Sequence, residues 1–484
     1  MRTALLTLAA LVLSSGLAAA ATCEDLMTLA RPNTTITAAQ LVPAAPATAM
    51  PAHCRVAATL TPAPGSRIMI EILMPAENWN GKFQAVGNGG WAGTISRGAM
   101  AEALKAGYAT SSTDTGHQGG QGAEFALGQP EKVTDFAYRS VHEMTLTAKA
   151  VIAAFYTRPA RLSYFNGCST GGRQGMMEAQ RFPEDYDGII VGAPVYNMNR
   201  LSASNLARQV QTIKDPSRKL SPEKIRLVTD AVLNACDAGD GVRDAIVSNP
   251  LACSFDPAVL ACKSGDAASC LTANQIETVK QAYSPVKTKT GEAVYPGSSP
   301  GFEFGLRMPE APLELHFSGF RYIGRQNASW DPLTFDLEAD LALLQKNGGA
   351  IESTDPNLAA FKARGGKMLF YHGWADPGPA PANTLAYRAA VEQTLGGNQD
   401  DWLRVFLMPG MGHCRGGRGP DEADFIGALD TWRDGGVAPA RIDAAKLTEG
   451  RVEMTRPLCP YPQVARYTGT GSTNDAANFS CAAN

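Results

Sequence analysis

The strongest constraint on this chain is a short turn. Residues 161–182 read RLSYFNGCSTGGRQGMMEAQRF. A strand-forming run, RLSYFNG, enters the turn, and a helix-forming run leaves it. Ser169 stands at the centre of a G-x-S-x-G pattern with Cys168 beside it. A chain that passes from strand to helix so abruptly forces its central residue into a strained corner, so the flanking side chains must be small. Gly167, Gly171 and Gly172 meet that need. The serine hydroxyl is thereby presented at a helix N-terminus, where developing negative charge is favoured.

The surrounding pattern predicts a sheet able to carry such a corner. RIMIEILMP, KFQAVGNGG and YATSSTD read as strands, and residues 135–156 have helical spacing. YDGIIVGAP, KMLFYHGWAD and WLRVFLMPGMGHC continue the strand pattern. Strands alternating with helices imply an α/β fold, a mainly parallel sheet covered by helices. Between residues 195 and 350 the pattern loosens into scattered helices, an Asp/Gly-rich stretch and Pro-rich loops. That segment is expected to be an inserted lid domain, with residues 22–194 and 351–484 completing one catalytic domain. At 484 residues the chain is long enough for both.

A serine nucleophile needs a base and an acid that orients it, in the chain order Ser, Asp or Glu, His. Of the six histidines, only His372 and His413 fall in the sheet-forming region after the lid. His413 lies in PGMGHCRGG, a glycine-rich loop directly after a strand, where a base is expected; Asp376 ends the preceding strand segment. His372 is the rival base, and its place at the end of that buried strand reads as structural. The oxyanion hole calls for two backbone N–H groups: one from Thr170, after the serine, and one from Gly89 or Gly90 in VGNGGWAG.

The N-terminus carries Arg2, an apolar run over residues 4–13 and small residues at 18–21, the pattern of an export leader cleaved near Ala20 or Ala21. Residues 1–21 are therefore expected to be a signal peptide, and the mature protein secreted or periplasmic. All ten cysteines follow the leader, which suggests five disulfides. Cys236 with Cys253 and Cys262 with Cys270 are local candidates; Cys459 with Cys481 and Cys23 with Cys54 would close the two tails. Cys168 and Cys414 remain. One precedes the expected nucleophile and the other follows the expected base, so a catalytic approach of Ser169 and His413 brings the two sulfurs together. A net charge of −3, without a basic run, excludes a nucleic-acid footprint, and no later segment is apolar enough to span a bilayer.

CDAGDGVRD, residues 236–244, holds three aspartates. Asp237, Asp240 and Asp244, with the carbonyls of Val242 and Ile246, could supply oxygen ligands to a hard cation such as calcium. The spacing is not that of an EF-hand, and on the residues alone a solvated acidic turn remains the simpler reading. In the lid, residues 315–330 combine Phe317, Phe320, Tyr322 and Trp330 with Arg321 and Arg325. Arg321 is the candidate for pairing with a carboxylate or phenolic oxygen of a substrate.

GCSTGG, YHGWADP and GMGHCRGG, together with TDTGH, DFAYRSVHEMT and the cysteine layout, resemble the tannase and feruloyl esterase family, which also includes the hydrolase of mono(2-hydroxyethyl) terephthalate. The similarity spans about residues 23–481. It implies an α/β-hydrolase core with a lid, Ser169 as nucleophile, His413 as base and acid, Asp376 as its partner, and a structural calcium at the Asp237–Ile246 stretch. The implied substrates are esters of aromatic acids, hydroxycinnamic or gallic. Terephthalate monoesters are the rival substrate class, and a non-catalytic binding protein on the same fold is the rival from another class.

Overall fold

The computed structural model describes residues 22–483 apart from residue 92. The expected leader, residues 1–21, lies outside the described residues. Nine strands form the main sheet: β1 (Thr34–Val42), β2 (His53–Leu60), β3 (Ile68–Pro75), β4 (Lys82–Val86), β5 (Ala109–Thr113), β6 (Leu162–Cys168), β7 (Gly188–Gly192), β8 (Lys367–Gly373) and β9 (Leu403–Met408). Their spatial order is β1-β2-β3-β5-β4-β6-β7-β8-β9. β1, β2, β3 and β5 pair antiparallel. From β5 through β9 every pairing is parallel.

The parallel strands read as near-continuous apolar runs because both faces are covered. Their two-residue period divides the side chains between two cores. Phe165, Ile189, Val191, Met368 and Phe370 pack on one face, with Val141, Met144 and Ile152 of α1 (Ser140–Tyr156) and Met176 of α2 (Thr170–Arg181). Tyr164, Ile190 and Leu369 pack on the other, against Leu429 and Trp432.

Between β7 and β8 the chain adds no strand to this sheet. It builds α3 (Met198–Lys214), further helices and one small hairpin, Val286–Lys287 with Ala293–Tyr295. One of its apolar clusters, around Val228, Val232 and Val279, is its own, and the other is shared. Phe320, Trp330, Leu341 and Leu344 share a core with Trp91 and Phe136, which precede the insertion.

The helix expected over residues 135–156 begins with a π-helical turn, Asp135–Arg139, before α1. That turn meets α2. The fully buried Arg173 donates to the carbonyls of Ala137 at 2.7 Å, Phe136 at 3.0 Å and Ile351 at 3.1 Å. Its side chain caps two carbonyls of the π-helical turn and ties that turn to the end of the insertion.

All ten cysteines are paired: Cys23–Cys54, Cys168–Cys414, Cys236–Cys253, Cys262–Cys270 and Cys459–Cys481. Cys168 and Cys414 are 246 residues apart in sequence, with α-carbons 6.0 Å apart. On the chain-entropy model, closing so long a loop stabilises the fold by at most roughly 5 kcal/mol. Peptide mapping without reduction is expected to recover Cys168 joined to Cys414. Replacing both with Ala is expected to lower the melting temperature and the activity together. Free thiols at both positions in the folded protein would contradict the pairing.

Candidate active site

Ser169 sits at φ 63° and ψ −121°, a backbone region that non-glycine residues rarely occupy. Hydrogen bonds from both sides hold it there. Its N–H donates to Gly192 O at 2.9 Å, and its carbonyl accepts from Arg173 N at 3.1 Å and Val195 N at 3.2 Å. The corner leaves no space for side chains. A Cβ on Gly167 would lie 2.5 Å from the Gly171 carbonyl, and one on Gly172 would lie 2.5 Å from Gly192 O.

The acid and histidine follow the last two parallel strands, beyond β7. Asp376 lies just past β8, and His413 in the loop after β9. His413 Nδ1 and Asp376 Oδ2 are 2.7 Å apart. Asp376 is fully buried, and its other oxygen accepts from Gly378 N at 2.8 Å. Burial works to raise the Asp376 pKa, but hydrogen bonds from His372 and His413 outweigh it and hold the carboxyl below its ordinary value. Burial likewise works to lower the His413 pKa, and the hydrogen bond and charge of Asp376 reverse this, leaving it raised.

His372 is more than a core residue. Its Nε2 lies 3.2 Å from Asp376 Oδ2 and 2.9 Å from Pro379 O, and its Nδ1 lies 2.8 Å from Thr384 Oγ1. Those partners suit the tautomer with Nε2–H as donor and Nδ1 as acceptor of the threonine hydroxyl. His372 and His413 thereby approach the same oxygen of Asp376, Oδ2. Its place inside a strand hides that role from a reading by sequence.

Ser169 and His413 line one cavity of about 530 Å³, within the range of small-molecule sites. Gly89, Gly90 and Thr170 line it too. The glycine loop is anchored to the same helix as the serine. Gln174 of α2 accepts from Asn88 N at 3.0 Å and donates to Asn88 Oδ1 at 3.0 Å. Thr170 Oγ1 donates to Gly90 O at 2.8 Å, turning that carbonyl toward the helix. Gln174 has no signature in the sequence beyond its place one turn into α2.

Arg321 is not brought to this cavity. Its guanidinium stacks over Phe317, 4.3 Å from the ring centre, and its Nε donates to Trp330 O at 3.0 Å. The aromatic cluster around it is core: Phe317, Phe320 and Trp330 are buried together. No lysine or arginine is among the residues lining the cavity.

The acidic stretch folds into a closed turn. Asp237 accepts from the N–H groups of Asp244, Ala245 and Ile246, and Asp240 from Val242 N and Ser248 Oγ. Asp244 pairs with Arg456 through one oxygen, while its Oδ1 is buried without a partner. Arg456 is ion-paired with Asp244 alone, Arg466 donates to Gly239 O at 2.8 Å in the same turn, and among the described residues no ion pair engages Asp237 or Asp240. Oxygen donors, an orphaned buried oxygen and surplus negative charge fit a hard divalent cation.

Among the described residues, one set of three His or carboxylate side chains has ligand-type atoms all within 4.8 Å of one another: His142, Glu178 and Asp185. Both Glu178 oxygens are buried and unpaired. Burial first, and the charge of Asp185 second, hold the Glu178 pKa well above the carboxylate range.

A mainly parallel sheet of this order, with a serine at the corner after β6 and an acid–histidine pair after β8 and β9, defines an α/β-hydrolase-type enzyme. The chain belongs to the tannase and feruloyl esterase family, whose model matches residues 54–306 and 306–482, and it is a carboxylic ester hydrolase. It is 34% identical to a probable feruloyl esterase B of Aspergillus clavatus over 88% of this chain and 86% of that protein. It is also 34% identical to an uncharacterized esterase of Xanthomonas campestris pv. campestris, over 99% of this chain and 95% of that one. The crystal structure of feruloyl esterase B from Aspergillus oryzae superposes with a TM-score of 0.87 at 29% identity, covering 94% of this chain and 98% of that one. A tannin acyl hydrolase from Aspergillus niger shares the fold, with a TM-score of 0.78 at 23% identity over 94% and 92% of the two chains.

A base works in its neutral form, so with His413 in that role its raised pKa would set the acid limb of the activity. kcat/KM is expected to rise with pH through a value above the ordinary histidine pKa of about 6.5. Asp376→Asn removes the groups that raise it and leaves burial unopposed, so the limb should move to lower pH. By analogy with triads elsewhere, turnover should fall about ten-thousand-fold. A profile whose limb does not move in that variant would break the assignment.

Proposed function

We propose that the protein is an exported serine esterase that cleaves esters of aromatic acids through an acyl-enzyme. The observation that carries this reading is the meeting of Ser169, His413 and the buried Asp376 partner at one apolar-walled cavity. His413 takes the proton of Ser169 Oγ as that oxygen attacks the ester carbonyl. The negative oxygen that develops is received by the N–H of Thr170 and that of Gly89 or Gly90. His413 returns the proton to the departing alcohol, and water then releases the acid by the same steps in reverse. No hydrogen bond joins Ser169 to His413 among the described residues; such contacts tighten when substrate is bound. A non-catalytic binding protein would have no need of this paired acid and base.

Val195, Met198, Leu201, Leu315 and Pro379 give the cavity apolar walls suited to a planar ring. With no cationic side chain in the lining, the carboxylate of a terephthalate monoester would lose its hydration without gaining a counter-charge. Esters of hydroxycinnamic or gallic acid place no such charge there. The names of the relatives favour the same class. Paired cysteines support export, and no helix among the described residues is long and apolar enough to cross a membrane. Calcium at Asp237, Asp240 and Asp244, with the carbonyls of Val242 and Ile246, would be structural and would neutralise the buried carboxylates there.

Ser169→Ala is expected to lower turnover about ten-thousand-fold or more while leaving the fold intact. Fluorophosphonate labelling should be lost at the same time. Wild-type activity in that variant would exclude Ser169 as the nucleophile. In a panel of methyl ferulate, methyl gallate, mono(2-hydroxyethyl) terephthalate and p-nitrophenyl butyrate, the first two should give the highest kcat/KM; a terephthalate preference would establish the rival class.

Calcium binding to the folded state alone should raise the melting temperature by mass action. A chelator should therefore lower it in the wild type and leave an Asp240→Ala, Asp244→Ala variant nearly unaffected. Equal sensitivity of both proteins would remove this turn as the site.

A further inference from the structure

One face of α3 is turned to the cavity. Met198, Leu201, Ser202 and Asn205 line it, at the i, i+3, i+4 and i+7 spacing of a single helix face. His316, from the short helix Glu314–Ser318, lines the same space. None of the Ser202, Asn205 and His316 side chains has a hydrogen-bond partner among the described residues. Polar side chains lining a small-molecule cavity without protein partners are free to bond what enters it.

The segment that carries His316 is fixed. Trp91 Nε1 donates to Leu315 O at 3.1 Å, tying it to the glycine loop beside Ser169. Burial pushes the His316 pKa down to about 4, so its imidazole is neutral at physiological pH. Each of the three side chains is then uncharged and able both to donate and to accept. A phenolic hydroxyl has that same dual character, whereas a carboxylate only accepts and a methyl ether only accepts.

We propose that Ser202, Asn205 and His316 form a hydrogen-bonding subsite for the phenolic hydroxyl of the acid half of the substrate, with Met198 and Leu201 as the apolar wall for its ring. The inference rests on the esterase reading of the same cavity. Discrimination follows from the cost of leaving buried polar groups unpaired when an analogue lacks the hydroxyl.

The test holds the alcohol constant and varies the acid: methyl 4-hydroxycinnamate, methyl 4-methoxycinnamate and methyl cinnamate. The wild type should favour the hydroxylated ester about tenfold or more in kcat/KM over both analogues. Asn205→Leu and His316→Leu should each lower kcat/KM for the hydroxylated ester about tenfold, and change that for methyl cinnamate by less than about threefold. Fluorophosphonate labelling of Ser169 in each variant reports an intact fold and nucleophile. Equal wild-type rates on all three esters would overturn the subsite, and this measurement does not depend on either variant folding. Equal losses on all esters in labelled variants would overturn it as well. Failure to hydrolyse any ester, by contrast, would strike the esterase reading itself.

Discussion

The disulfide between Cys168 and Cys414 binds together the two parts of the chain on which the proposed chemistry depends. Ser169 belongs to the end of β6 and His413 to the loop after β9, and β7 and β8 lie between those strands in the sheet. No local force brings the two loops together. The sheet sets their height, and the covalent link sets their lateral approach, with the two α-carbons 6.0 Å apart. Ser169 and Cys414 both have positive φ, at 63° and 62°. Strain of this kind persists where the surroundings over-determine it. Here the surroundings are the disulfide, the Gly192 hydrogen bond and the glycine contacts beneath the turn.

Helix α2 is the second organising element. Its first residue, Thr170, holds Gly90; Arg173 holds the π-helical turn and Ile351; Gln174 holds Asn88. One helix thus positions the serine, the glycine loop and the end of the insertion. Donors intended for a developing oxyanion work best when they need no rearrangement at the moment of reaction, and fixing both sources to one rigid element meets that requirement. Asp376 is treated alike, held between His372, His413 and the Gly378 amide.

The insertion is joined to the rest of the protein from two directions. Trp91 and Phe136 enter its apolar core, and Arg456 of the C-terminal region reaches Asp244 in its acidic turn. The acidic turn also touches the histidine loop: a Cβ on Gly410 would lie 3.2 Å from Ile246. A cation in that turn would therefore brace the loop that carries His413 without taking part in the chemistry.

The sequence by itself determined the elements with strong local signals. The apolar strands of a twice-covered sheet, the glycine-flanked serine and the chain order Ser, Asp, His were legible because periodicity and turn chemistry are local properties. The approach of Cys168 to Cys414 was legible because their neighbours must meet. Tertiary structure alone decided which side chains face the cavity. Arg321 looked like a substrate contact, yet its long stem lets the guanidinium fold back on Phe317 and the Trp330 carbonyl, where it is half-buried and bonded. His372 read as a core residue, and only the 3.2 Å approach to Asp376 gives it a positioning role. Gln174, Ser202, Asn205 and His316 carry no motif. Their roles arise from the orientation of α2 and α3 against the sheet, which packing across hundreds of residues sets and no local pattern encodes.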